Sequence, residues 1–174
     1  MASSSSTACI RRVSEQEVHA AWLLQAGLAS EEETLPEGAL QIRQKVAPDL
    51  FWGYFENGRL IGFVSGGKTS RSKMAVDAKF VHDPDGCTVC LHTLRVQPDY
   101  QGKGIETILI DHLLWYVEEN LKGVNKVNLI CHDKLVQFYE GLHFRCLGPS
   151  DVRLGSKQWF DMEYEVTHES TGFA

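Results

Sequence analysis

The chain has 174 residues, of which 43% are hydrophobic, 10% aromatic and 23% charged. That is enough apolar material for one compact domain with a core, and it excludes a chain too polar to fold. The formal net charge of −6, from 17 Lys and Arg against 23 Asp and Glu, argues against nucleic acid as a main partner and suits attraction of a small cation.

No apolar run approaches the roughly 18 residues that a membrane helix needs, so no membrane partner is expected. Met1 to Thr7 is Ser-rich and uncharged, without the basic start or apolar stretch of a signal peptide. It is expected as a disordered tail, followed by a single domain over 8–168 and a second tail over 169–174. The five cysteines are Cys9, Cys87, Cys90, Cys131 and Cys146. An odd count without a signal peptide points to reduced thiols and a cytoplasmic location.

In chain order, Ala8 to Val13 reads as a strand. Ser14, with Glu17 three residues on, has capping-box spacing and opens a helix to about Gly27. Residues 30–36 are acidic and end in Pro36, which reads as a loop. Glu37 to Lys45 is a second helix, stopped before Pro48. Leu50 to Phe55 and Leu60 to Ser65 flank Asn57-Gly58, a strong hairpin signal. Gly66 to Asp85 is polar and variable, and His82 to Gly86 reads as a turn. Cys87 to Val96 is a long β-rich run closed by Pro98.

A glycine-rich turn then enters a helix of about Gly104 to Leu121. Ile105, Ile108, Leu109, Leu113, Tyr116 and Val117 share one broad face of it. Val124 to Cys131 is a buried-type strand, and Lys134 to Glu140 a short helix. Phe144 to Leu147 and Gln158 to Val166 are the last strands. Hairpins around one crossover helix predict a mixed α/β fold: a mainly antiparallel sheet with helices on both faces.

The informative segment is Leu94 to Thr107. A strand ends, a loop presents Gly102 and Gly104, and a helix begins. Backbone N–H groups at a helix start carry the positive end of the dipole, and glycines let a ligand approach them, so the turn suits a phosphate or pyrophosphate. It is neither a P-loop, whose glycine spacing is missing, nor a dinucleotide fingerprint, which needs Gly or Ala where Thr107 stands.

The wider pattern Val96-x-Pro98-x-Tyr100-Gln101-Gly102-Lys103-Gly104-Ile105 resembles the acetyl-CoA-binding motif of the GNAT N-acetyltransferase superfamily, Gln/Arg-x-x-Gly-x-Gly/Ala. Gln101 and Gly104 match its first two fixed places. Glu106 stands at the third, a departure that puts a carboxylate near the expected pyrophosphate. Residues 49–64 are similar to the family's first hairpin, and Cys131 to Phe144 to its late strand, helix and strand. His82 to Gly86, Leu91 to Leu94 and Phe138-Tyr139 look most like arylalkylamine N-acetyltransferases, the serotonin-acetylating type, and closer to the microbial and invertebrate members. The resemblance covers about residues 8–166 and implies a GNAT fold with a splayed central strand pair.

It also implies roles. The backbone of Leu94, Arg95 and Val96 would hold the acetyl carbonyl and pantetheine arm. Gln101, Gly102, Lys103, Gly104, Ile105, Glu106 and Thr107 would hold the pyrophosphate, and Cys131 and His132 would line the CoA channel. Acetyl transfer also requires the amine to lose a proton and the departing thiolate to be stabilised. His92 is the candidate base. It matches one of two histidines in the vertebrate proton path, and Cys90 stands at the other. Tyr139 is the candidate acid.

Strand parity puts Cys90, His92, Leu94 and Val96 on one side, up to any bulge. No metal site is expected: Cys87-Thr-Val-Cys90 has its thiols on opposite faces of an extended strand. His112 reads as structural. Glu31, Glu32 and Glu33 read as a solvated loop or an acidic lip for an amine, and one or two of Phe51, Trp52, Tyr54 and Phe55 as facing an aromatic acceptor. The expected function is acetyl-CoA-dependent acetylation of a small primary amine, an arylalkylamine first, by direct attack in a ternary complex. The alternatives are a polyamine, an amino sugar, a protein amine, or an acyl-CoA-binding module without turnover, which Glu106 and Cys90 favour. The oligomeric state is not legible.

Overall fold

Residues 7–27, 35–71, 82–152 and 154–168 are described by a computed structural model. Residues 1–6 and 169–174, both expected as tails, and the acidic Glu31, Glu32 and Glu33 lie outside the described residues. The elements run β1 (Ala8–Arg12), α1 (Val18–Ala26), α2 (Glu37–Val46), β2 (Phe51–Glu56), β3 (Arg59–Thr69), β4 (Thr88–Val96), α3 (Ile105–Asn120), β5 (Lys126–His132), α4 (Val136–Glu140), β6 (Arg145–Pro149) and β7 (Trp159–Glu165). One seven-stranded sheet has the order β1-β2-β3-β4-β5-β7-β6. Every neighbouring pair is antiparallel except β4 with β5.

Local chemistry explains most of these elements. The Glu17 carboxylate accepts from the Ser14 N–H at 3.0 Å and from its hydroxyl at 2.9 Å, holding the single turn Glu15–Glu17 that leads into α1. Asn57 and Gly58 have φ of 52° and 79°, the left-handed pair that a tight hairpin requires. In α3, Leu109, Ile110, Leu113, Leu114 and Val117 are buried. Each such side chain contributes about 1.5–3 kcal/mol through its removal from water.

Two cores lie on the two faces of the sheet. On one, the α3 residues pack with Val64, Val89, Leu91, Val96, Leu129, Phe144 and Met162. On the other, Val18 and Ala21 of α1 and Leu40 of α2 pack with Phe51, Phe55 and Phe63. Helices therefore cover both faces, as the hairpin pattern predicts.

The main local difference from expectation is β3. It continues past Ser65 through Gly66 and Gly67 to Thr69, because β4 pairs with it as far as Thr69↔Thr88. A polar, glycine-containing stretch becomes strand when a neighbour satisfies its backbone. The expected helix over 134–140 divides into a tight turn at Asp133–Leu135 and α4.

The feature that positions the site is the pairing of β4 with β5. It is limited to Thr88↔Lys126, Val89↔Val127 and Cys90↔Asn128. Beyond it, β4 follows β3 to Val96 while β5 follows β7 to His132. The two strands diverge, and the edge of β4 from Leu91 to Val96 faces an opening between them.

Candidate active site

The turn at the end of β4 leads into α3 beside this opening. Gly102 and Gly104 have φ of +79° and +81°, where an L side chain is strained, and a Cβ at either would meet nothing within 4 Å. The backbone there is open to a ligand. The Ile108 N–H donates to the Gly104 carbonyl at 3.1 Å. The N–H groups of Ile105, Glu106 and Thr107 therefore precede the helical ladder and sit at its positive end.

The Gln101 side chain donates to the Val96 carbonyl at 3.3 Å, tying the turn to the strand end. Lys103 Nζ lies 5.1 Å from the centroid of the Tyr100 ring, close to the exposed glycines. Ile105 is 4% exposed and anchors the turn in the α3-side core. These residues fit a pyrophosphate by the chemistry of their donors.

Leu94 packs on the α3-side core and Val96 lies within it. Arg95 donates to the Leu94 carbonyl at 2.8 Å. Strand parity does not carry through to His92, however. Ser65 pairs with Thr93 and Gly66 with Leu91, so His92 is the extra residue of a β-bulge. The bulge inverts the alternation that follows it. Val89, Leu91, Leu94 and Val96 face α3, while Cys90 and His92 face α2. The expected common face of Cys90, His92, Leu94 and Val96 is thus corrected: the first two lie on the opposite side of the sheet from the last two.

The α2 side of the site holds a residue that sequence reasoning missed. Arg43 is 2% exposed, on the stripe of α2 that includes Leu40 and leads to Ala47. A Cβ at Gly67 would overlap Arg43 Nη1 and stand 3.5 Å from His92 Cε1. Gly67 is therefore the floor on which guanidinium and imidazole meet. Two signals were available: a charged residue at apolar helical spacing, and a Gly-Gly pair inside a strand run.

Burial pushes the Cys90 thiol up to about 12, against the opposing pull of Arg43 and of a hydrogen bond from Asn128. A thiol protonated at neutral pH is not a nucleophile. Burial also pulls Arg43 down to about 10, which leaves it charged at neutral pH.

Tyr139 approaches from the α3 side. It is 7% exposed within that core, with Phe138 and Phe144 packed edge-on at 5.0 and 5.7 Å between ring centroids. Burial raises its phenol above the usual value. Cys131 and Glu106 add to the shift and Arg95 opposes it. It remains a neutral O–H donor throughout the physiological range. Cys131 belongs to the same core, and burial raises its thiol to about 12. His132 is separated from it by the alternation of β5, and its ring packs on Trp159 at 4.0 Å.

Of the β2 aromatics, one or two of which were expected to face an acceptor, Tyr54 is partly buried and packs on the α3-side core. Phe51 and Phe55 are core, and Trp52 packs edge-on against His112 at 4.4 Å. The cavity beside α2, of about 680 Å³, is walled instead by Pro36, Ala39, Ile42, Val46 and Pro84, with Arg43 and His82 as its polar members. Among the described residues no group of three or more His, Cys, Asp or Glu is placed to hold a metal ion.

The chain matches the acetyltransferase (GNAT) family over residues 16–144, and it belongs to that family. It is 30% identical over 118 residues to serotonin N-acetyltransferase of Mesocricetus auratus, covering 68% of this chain and 56% of that protein. The chain thus spans little more than half the length of that relative. An acetyltransferase of Sodalis glossinidius is 29% identical over 134 residues, 74% of this chain and 80% of its own length. Among solved structures, the loading GNATL domain of CurA from Lyngbya majuscula superposes with a TM-score of 0.84 at 14% identity, covering 94% of this chain and all (100%) of that one. The yncA protein of Salmonella typhimurium, solved with its cofactor acetyl-CoA, gives 0.70 at 18% identity, covering 97% and 99%. These two likenesses establish the fold.

Proposed function

We propose that this chain transfers an acetyl group from acetyl-CoA to the primary amine of a small molecule, an arylalkylamine, by direct attack. The observation that carries the reading is the diverging β4–β5 pair. An anion-binding turn lies at its mouth, and two candidate proton-handling groups lie on opposite sides of the sheet. Acetyl-CoA would approach on the α3 side and the amine on the α2 side. Similarity to serotonin N-acetyltransferase supports the acceptor class.

In this reading the backbone edge from Leu94 to Val96 orients the thioester. Gly102 to Thr107, with Gln101 and Lys103, hold the pyrophosphate, and Cys131 and His132 flank the channel. His92 accepts the proton lost by the amine. The raised phenol of Tyr139 is too weak an acid to protonate a thiolate outright, so it donates a hydrogen bond to the sulfur as charge develops there. Cys90, held as a thiol, leaves direct attack rather than an acyl-enzyme. The five free cysteines are in keeping with a cytoplasmic location.

Glu106 favours one second reading, an acyl-CoA-binding module without turnover, because its carboxylate stands where the family carries Gly or Ala. One assay separates the two. Thiol release from acetyl-CoA is followed with serotonin, tryptamine, phenylethylamine, spermidine and glucosamine, alongside thermal protection by acetyl-CoA. Saturable release with the aromatic amines supports the proposal. Protection without release from any amine supports the module, and absence of protection and release removes both.

A further inference from the structure

We propose that the cavity beside α2 holds the apolar body of the acceptor against Ile42 and Val46, and that the acceptor carries more hydrocarbon than one ring on a two-carbon arm: a long-armed arylalkylamine or a long primary alkylamine. The inference rests on the small-amine transferase reading and names the part of the acceptor that is selected.

The outer wall is apolar and exposed. Ile42 and Val46 stand one helical turn apart, 59% and 47% exposed, and both line the cavity. Single exposed aliphatic side chains are common on a protein surface. Here two on adjacent turns are continued by Ala39 and Pro36 toward the start of α2, and joined by Pro84 from the turn before β4. The strip from Ala39 to Val46 follows the helix for roughly 10 Å.

The volume of about 680 Å³ lies well inside the range of small-molecule sites. A ring on a two-carbon arm has about nine heavy atoms, far fewer than the drug-sized ligands that such volumes enclose. A longer body covers more of the strip.

The inner edge joins the cavity to the candidate base. Arg43 lines the cavity, and its guanidinium packs over Gly67, where a Cβ would stand 3.5 Å from His92 Cε1. His82, which also lines the cavity, accepts at Nδ1 from the Lys68 N–H at 3.1 Å, one residue further along β3. The polar end of the cavity therefore lies at Gly67 and Lys68. An amine placed at His92 can lay its substituent along α2.

Charge does not make the selection. Arg43 is engaged within the protein. Burial lowers the His82 imidazole below its ordinary value, Arg43 and Lys68 add to the shift, and Asp49 and Asp83 oppose it. Groups of both signs thus act at the polar end. What distinguishes one primary ammonium from another there is the area that its body covers on Ile42, Val46 and their neighbours. That contribution grows with each methylene removed from water.

Two homologous series test this by kcat/KM in the thiol-release assay: phenylethylamine, 4-phenylbutylamine and 6-phenylhexylamine, and butylamine, hexylamine and octylamine. Each series adds four methylenes, and a fully buried methylene is worth up to about fourfold. On a wall open to solvent the rise over each series is expected to be at least about tenfold, carried by KM. The double variant Ile42→Ala with Val46→Ala is expected to cut the gain from butylamine to octylamine by at least about fivefold, because the covered area is lost. Both side chains are exposed and alanine favours a helix, so the variant should keep its melting temperature. A wild-type rise below about threefold, or a double variant with the wild-type gain, overturns the inference and leaves the transferase reading standing.

A second measurement needs no turnover. N-octylacetamide should protect the wild type against thermal unfolding at lower concentration than N-butylacetamide, and the difference should shrink in the double variant. Equal or reversed protection overturns the inference. If no amine of either series and no arylethylamine is acetylated, the transferase reading fails. The order of protection by the two amides then still decides the preference for a long apolar body.

Discussion

Replacing Tyr139 with Phe removes one oxygen and keeps the ring. The ring is what the structure packs: it is 7% exposed, with Phe138 and Phe144 edge-on at 5.0 and 5.7 Å. Stability should therefore change by no more than about 1 kcal/mol, the net scale of one hydrogen bond. Catalysis should fall much further. A single preorganised donor aimed at developing charge is worth about 10²–10³ in kcat, or roughly 2.7–4 kcal/mol. The assay is thiol release at saturating acetyl-CoA and amine, with melting temperature measured on the same samples. Because burial raises the phenol above its usual value, the wild-type rate should also show no alkaline loss near pH 10 from Tyr139. A Tyr139→Phe enzyme within about threefold of wild type in kcat would refute the placement of the phenol against the reacting sulfur.

Other expectations follow from the backbone and from charge. Gly66→Ala would bring a Cβ to 2.6 Å from the Cys90 carbonyl oxygen. It should cost about 1–3 kcal/mol in denaturant unfolding, the scale of overpacking, and lower activity by shifting the bulge that carries His92. Gly104→Ala meets no neighbour within 4 Å but must adopt φ +81°. A loss of about 1 kcal/mol is expected from that strain alone, with a raised KM for acetyl-CoA and little change in kcat. The hydrogen bond from Arg11 lowers Glu17 to about 2 from 4.5. A depressed carboxylate stabilises above its unfolded pKa and loses that contribution as pH falls through the folded one. Glu17→Gln should therefore reduce the slope of stability against pH between 4.5 and 2, and leave a smaller difference from wild type below that window. Solvent exposure of the pair keeps the effect small.

Much of the frame was legible in the chain because its signals are local. The Asn57-Gly58 turn depends on the left-handed tolerance of those two residues. The α3 stripe depends on 3.6-residue periodicity, and the Gly102–Gly104 turn on backbone freedom at two positions. Each is decided within a few residues of sequence. The two turns stand where they were expected; on α3, Ile105, Leu109, Leu113 and Val117 are buried as expected, whereas Ile108 is exposed and Ile110 and Leu114 take core places that the expected face left out. The glycine turn and the hairpin also carried the family resemblance, so the fold class followed from the same local marks.

What only the tertiary structure decided depends on partners far away in sequence. Gly66 to Thr69 is strand because Thr88 to Leu91 pairs with it, and no local preference states that. The bulge at His92 arises from the register of β4 against β3. One extra residue there reverses a period-two pattern, which put the candidate base on the α2 side rather than with Leu94 and Val96. Arg43 looks like an ordinary basic residue near a helix end until Gly67, from another element, gives its guanidinium a floor beside His92. The sequence by itself determined the fold and the glycine turn at the head of α3, through interactions among near neighbours. Which side of the sheet the candidate base takes, and which charged group packs beside it, was decided by strand register and helix packing, because those bring together residues that no local pattern connects.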